Sequence, residues 1–144
     1  MLPTKEISRI VQERFAAYES GDPVRVIDVY ADEVAYWDTQ CAERVQGKKA
    51  VGQHLSKFLQ NFDVCYALLE EHRLDGQDAA IVLWLCAVRR RLPAGAASAD
   101  LVMQRGMSLL QIRDGLIARD EAYMDLASLS PLLAASPPDE SRPC

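Results

Sequence analysis

Apolar residues recur at helical spacing over residues 5–19. Ile7, Ile10, Val11, Phe15 and Tyr18 fall at i, i+3, i+4, i+8 and i+11, the stripe of an amphipathic helix. Arg14 sits inside that stripe, between Ile7, Val11 and Tyr18. A charge there is costly in a packed core unless it is paired or meets a hydrated cavity. Two placements satisfy this. Either the arginine snorkels with its head in water, or the helix lines a pocket with a polar interior.

Ser20-Gly21-Asp22-Pro23 stops the first helix and starts a second: glycine ends helices, aspartate caps them, and proline suits the first helical position. The second helix is predicted over residues 23–31, with Val26, Ile27 and Tyr30 inward. EVAYWD, residues 33–38, reads as a short strand and residues 39–46 as a polar loop. A third helix is predicted over residues 47–61, its stripe carrying Val51, Leu55, Phe58, Leu59 and also His54, with Phe62 just beyond. The period then switches to two, giving strands at 63–75, 79–91, 100–113 and 116–123. Gly76-Gln77-Asp78 and Asp114-Gly115 supply tight turns, and residues 92–99 a flexible connection. A short helix near 125–134 closes a single domain spanning 1–134, followed by a disordered tail, 135–144.

Helices first and hairpin-linked strands after them predict an α+β fold. A curved antiparallel sheet wraps around the three N-terminal helices. In the strand 79–91, Ile81, Leu83, Leu85 and Ala87 share one face, and Val82, Trp84, Cys86 and Val88 the other. Both faces are apolar, so both are expected to be buried. The helices cover one, and a second copy of the chain is the simplest cover for the other.

At 144 residues the chain is long enough for a sizeable core. Its net charge of −5 argues against nucleic acid or an anionic membrane as partner. No apolar run is long enough for a signal peptide or a membrane span. Cys41, Cys65, Cys86 and Cys144 are scattered without a CxxC pair, as expected of reduced thiols in a cytoplasmic protein. With His54 and His72 alone, a histidine-rich metal site is not expected.

IVQERFAAYESGD (10–22), VIDVYADEVAYWD (26–38), QGKKAVGQHLSKFL (46–59) and RDGLIARDEAYMDLASL (113–129) stand in an order and spacing that resembles the nuclear transport factor 2-like superfamily. That group includes SnoaL-like polyketide cyclases, ketosteroid isomerase, scytalone dehydratase and limonene epoxide hydrolase. The resemblance implies a cone whose open end holds a small hydrophobic molecule, and a dimer. In the ketosteroid isomerase pattern, Asp38 stands at the catalytic base. Arg14 stands where that family keeps an oxyanion-binding tyrosine, and Ser108 nearest to its protonated aspartic acid. The arginine–aspartate pair of limonene epoxide hydrolase has no match in Leu85-Cys86-Ala87, nor has the histidine pair of scytalone dehydratase. The acidic residue of the SnoaL-like cyclases falls on the last strand. There one register faces Ala118, Asp120, Ala122 and Met124 inward, and the other Arg119, Glu121 and Tyr123; the family's register favours the first.

The candidate catalytic residues are therefore Asp38, Asp120 and His54, and the candidate substrate-binding residues Arg14, Tyr18, Tyr36, Phe58, Ser108 and Met124. Desolvation in an apolar cavity would raise the pKa of Asp38 towards that of a useful base. Arg14 would hold a developing oxyanion and His54 or Asp120 would donate a proton. Isomerisation, aldol-type cyclisation and dehydration all begin with such proton removal beside a carbonyl, and none needs a cofactor. The structural readings stay open: Asp38 pairing with Arg44 or Arg14, a core histidine at position 54, a solvent-exposed Asp120. A cone plugged by Tyr36, Trp37 and Phe58 would favour a non-catalytic binding domain.

Overall fold

The computed structural model describes residues 1–93 and 100–134. Helix α1 (Thr4–Ser20) buries Ile7, Ile10, Val11, Phe15, Ala17 and Tyr18, with Arg14 among them. Gly21 ends it in the left-handed conformation, φ 68°, and returns its N–H to the Tyr18 carbonyl at 3.1 Å. Asp22 caps α2 (Pro23–Asp28), accepting from the Val24 N–H at 3.0 Å. This helix stops earlier than the expected residue 31. The Val29 carbonyl is taken by the Ile117 N–H at 2.9 Å, and Tyr30 already belongs to strand β1 (Tyr30–Asp38).

The expected loop 39–46 contains a two-residue strand, β2 (Val45–Gln46), paired antiparallel with β1. After α3 (Lys48–Asn61) come β3 (Phe62–Arg73), β4 (Ala79–Arg90), β5 (Leu101–Arg113) and β6 (Leu116–Met124). A 3-10 turn (Leu126–Leu129) and a short α4 (Ser130–Ala134) follow. Strand β3 stops at Arg73 because the Leu74 N–H turns to the Ala79 carbonyl at 3.1 Å. Part of the expected connection (94–99) and the whole expected tail lie outside the described residues.

The six strands form one curved sheet in the order β2-β1-β6-β5-β4-β3. From β3 to β6 every pairing is antiparallel, as expected, but β1 runs parallel to β6, with Tyr36 opposite Asp120 and Asp38 opposite Ala122. This pairing brings the first strand against the last. Two-against-one steps between Leu68 and Glu70 on β3, and between Ile117 and Arg119 on β6, bend the sheet around the helices. Among the described residues, no helix is long and apolar enough to cross a membrane.

The concave side of β4 presents Ala80, Val82, Trp84, Cys86 and Val88, all buried. Ile81, Leu83, Leu85 and Ala87 on the convex side are half-buried, so the described residues do not fully cover them. Gly106 lies opposite Trp84 in the β4–β5 ladder. A Cβ there would come within 2.5 Å of the indole ring and 2.7 Å of the Tyr123 carbonyl. The missing side chain is the space the indole occupies, and the indole N–H donates to Ser108 Oγ at 3.0 Å. Gly106→Ala is expected to cost about 1–3 kcal/mol by overpacking, read by urea unfolding, with a shift in tryptophan emission. Unchanged stability and emission would mean that the indole has another place to go.

Candidate functional site

The end of β1 carries Asp38 into the cone. Strand alternation puts Val34, Tyr36 and Asp38 on the concave face, and all three are buried. The chain then turns sharply, with the Cys41 N–H donating to the Asp38 carbonyl at 2.9 Å. This turn folds the Gln40 N–H back onto Asp38 Oδ1 at 2.8 Å. Across the gap, α3 supplies His54, whose Nε2 lies 2.9 Å from Asp38 Oδ2. The Tyr36 hydroxyl donates to the same oxygen at 2.7 Å. Cys41 Sγ stands 3.4 Å from Asp38 Oδ1 and 3.4 Å from His54 Nε2.

These donors reverse the electrostatic expectation for Asp38. Burial does push its pKa up, but the hydrogen bonds from His54, Tyr36 and the Gln40 N–H outweigh that and hold the carboxyl below the usual value. Asp38 is thus an ionised acceptor held by protein donors rather than a base made strong by desolvation. Ionised, it is an acceptor for the facing Nε2 of His54.

A second polar group lies deeper. Arg14 is 2% exposed. Its Nε and Nη2 reach Asp120 Oδ2 at 3.0 and 2.9 Å, and its guanidinium lies over the Phe15 and Tyr18 rings. Burial works against its charge; Asp120, together with the oxygens of Tyr18, Tyr30 and Tyr66, outweighs this and keeps the arginine protonated. The Tyr30 hydroxyl donates to Asp120 Oδ2 at 2.6 Å and lies 2.7 Å from the Tyr18 hydroxyl. Since Tyr30 gives its proton to the carboxylate, Tyr18 must donate to Tyr30. The Tyr18 hydroxyl then has only acceptor capacity left for a ligand.

Arg14, Tyr18, Tyr36, Asp38, His54, Phe58 and Met124 all line one inner chamber of about 50 Å3, enough for a few water-sized atoms. Gln40, Leu55, Tyr66, Trp84, Gln104 and Ala122 complete its wall. Gln40, His54 and Phe58 also line a wider mouth of about 320 Å3, bounded by Lys57, Phe62, Leu129 and Leu132. Ligand sites are commonly of that size.

Two expected site residues are not in the chamber wall. Asp120 is fully buried behind Arg14 as its counter-ion, and Ser108 is fully buried as the acceptor for Trp84. Strand β6 does turn Asp120, Ala122 and Met124 to the concave side. The bulge at Ala118 breaks the alternation, however, so Ile117 is buried inside in place of Ala118. Arg44 pairs with Glu121 at 3.0 Å rather than with Asp38, and Arg119 joins it at 2.8 Å on the convex side. Trp37 packs against Tyr123 on that side too, 5.1 Å between ring centroids, and plugs nothing.

Sequence reasoning missed Tyr30, Cys41, Tyr66, Trp84 and Gln104. Tyr30 was hidden by the overlong second helix. Tyr66 shares a face with the buried Val64, and Trp84 lies on the apolar concave face of β4, so strand alternation could have found both. Cys41 lies three residues after Asp38, the spacing of a turn that brings both groups together.

The chain belongs to the SnoaL-like domain family, whose pattern matches residues 11–120, and so to the nuclear transport factor 2-like superfamily. The same cone is found in distant solved structures. A proposed isomerase from Bacillus subtilis is 13% identical, with a TM-score of 0.79 over 94% of this chain and 98% of its own. A proposed polyketide cyclase from Xanthomonas campestris pv. campestris is 19% identical, with a TM-score of 0.71 over 85% and 93%. A nuclear transport factor 2-like protein from Burkholderia xenovorans is 17% identical, with a TM-score of 0.66 over 91% and 98%. No curated protein sequence matches the chain.

Proposed function

We propose that this domain is a small enzyme that moves a proton beside the carbonyl of a hydrophobic metabolite without a cofactor. The observation that carries this reading is the Asp38–His54 pair, 2.9 Å apart, at the junction of the inner chamber and its mouth. Asp38 fixes the imidazole tautomer and stabilises the imidazolium formed when His54 takes a proton. Arg14 contributes positive charge and its remaining N–H donors to an enolate oxygen in the chamber. The narrow chamber suits the reacting carbonyl alone; the apolar mouth suits the body of the molecule. Isomerisation, aldol-type cyclisation and dehydration share this first step. Cyclase- and isomerase-like relatives of the same fold are consistent with it.

The tightness of the inner chamber favours one second reading, a non-catalytic domain that holds a ligand in the mouth. Thermal shift with a panel of hydrophobic ketones and enones, followed by deuterium uptake at the carbon beside the carbonyl, separates the two. Hits that exchange the proton support the enzyme. Hits that stabilise the protein without exchange support the binder. A panel that leaves the melting temperature unmoved counts against both.

The convex face supports a homodimer in the same proposal. Met103, Met107 and Tyr123 are exposed there beside the half-buried Leu83 and Leu85 of β4, and such a patch fits a second copy. Leu83→Asp with Met107→Asp is expected to halve the mass seen in sedimentation equilibrium. A wild-type chain that sediments as a monomer would remove the idea. Reduced thiols at Cys41, Cys65 and Cys86 fit a cytoplasmic setting.

A further inference from the structure

The cluster at the end of β1 does more than join an acid to a histidine. One ligand atom each from Asp38, Cys41 and His54 lies within 4.8 Å of the others. Their arrangement is convergent rather than serial. A proton relay through histidine uses both ring nitrogens, one toward each neighbour. Here the thiol and the carboxylate both address Nε2, at 3.4 and 2.9 Å, so the three atoms surround a common point.

That point has the dimensions of a metal site. Zinc holds sulfur at about 2.3 Å and nitrogen or oxygen at about 2.0–2.2 Å. Tetrahedral angles then set the ligand atoms about 3.3–3.6 Å apart. The Nε2–Sγ and Nε2–Oδ2 spacings of 3.4 and 2.9 Å lie within a few tenths of an ångström of this. The thiol meets the carboxylate through its other oxygen, Oδ1, at 3.4 Å, and the three ligand atoms stay within 4.8 Å of one another. Thiolate, imidazole and carboxylate together suit a borderline-soft ion better than magnesium or calcium.

The backbone builds this arrangement locally. Asp38 and Cys41 are the first and fourth residues of the turn closed at 2.9 Å, and α3 brings His54 to it. The Tyr36 hydroxyl holds the carboxylate at 2.7 Å, the kind of outer hydrogen bond that orients ligating side chains. Asp38 and His54 both face the inner chamber, which leaves room for a fourth, exchangeable ligand.

We infer that Asp38, Cys41 and His54 bind a divalent cation of the zinc class, with its open position toward the chamber. On binding, the Cys41 thiol proton leaves to solvent and the imidazole proton moves to Nδ1. The ion then stands where the proton between His54 and Asp38 stood. The site itself does not depend on the proposed enzyme. Only one consequence rests on that reading: an occupied site has no free Asp38–His54 pair and is inactive in proton transfer.

The test is titration of the chelator-treated full chain with Co2+, followed by displacement with Zn2+ in a calorimeter. The expected result is one ion per chain, with a near-ultraviolet sulfur-to-cobalt band that Zn2+ abolishes. Cys41→Ser should remove the band and weaken Zn2+ by at least about 100-fold, and Tyr36→Phe should weaken it by about 10-fold. Cys65→Ser and Cys144→Ser should leave both unchanged. Absence of the band in the wild type overturns the inference, as does a Cys41→Ser variant that binds like the wild type. No turnover is measured here, so the proposed enzyme can fail while the site stands, and the reverse.

Discussion

Asp120→Ala is expected to destabilise the protein by about 3–5 kcal/mol in urea unfolding, because it strands a buried cation. Arg14 is 2% exposed, and its Nε and Nη2 both reach the Asp120 carboxylate. The Tyr30 hydroxyl loses its acceptor in the same variant. The wild-type pair is itself no large source of stability, since Asp120 Oδ1 accepts no hydrogen bond among the described residues. Removing both charges should therefore cost far less than removing one. Arg14→Met with Asp120→Leu is expected to recover most of the loss, a coupling visible in a double-mutant cycle. A loss under about 1 kcal/mol in Asp120→Ala would mean that water reaches the guanidinium, contrary to its burial.

That pair also shows how far the sequence could be read. The arginine was visible as a charge on an apolar stripe, and pairing was a recognised way to keep it there. Its partner was not legible, because it lies 106 residues away. The family resemblance did turn Asp120 inward, but pairing it with Arg14 requires the bulge at Ala118 and the parallel seating of β1 on β6. No local pattern encodes either. The first helix, its glycine stop and the aspartate cap were legible because local spacing and capping chemistry determine them. The second helix was overrun at Tyr30 because its end is set by β6, through the Val29 carbonyl.

At Asp38 the local pattern located the residue, but its environment was read with the wrong sign. An apolar cavity alone would raise a carboxyl pKa. The wall at Asp38 is not apolar, since Tyr36, the Gln40 N–H and His54 all aim at the carboxylate. One of these donors, the Gln40 N–H, follows from the tight turn after β1, which the sequence suggested only as a polar loop. The chemical role moves accordingly. In the proposed function the carboxylate is the partner that orients an imidazole, and the imidazole is the group that meets substrate.

This division of labour predicts the second large effect. With chelator present, His54→Ala is expected to lower turnover of a ketone or enone substrate by about 10²–10⁴-fold, the usual worth of a positioned acid–base group. That corresponds to about 3–5 kcal/mol of barrier. Asp38→Ala should approach the same loss, because the uncompensated histidine loses both its tautomer and its orientation. The double variant should be little worse than the poorer single one, as for groups that act as a unit. Added imidazole should restore part of the rate to His54→Ala, whose truncation opens space beside the chamber, and none to Asp38→Ala. Tyr36→Phe removes one of the hydrogen bonds on Asp38 and should cost less than either. If both alanine variants stay folded and turn over within about threefold of the wild type, a difference worth under 1 kcal/mol, the pair is a structural contact and the binding-domain reading takes its place.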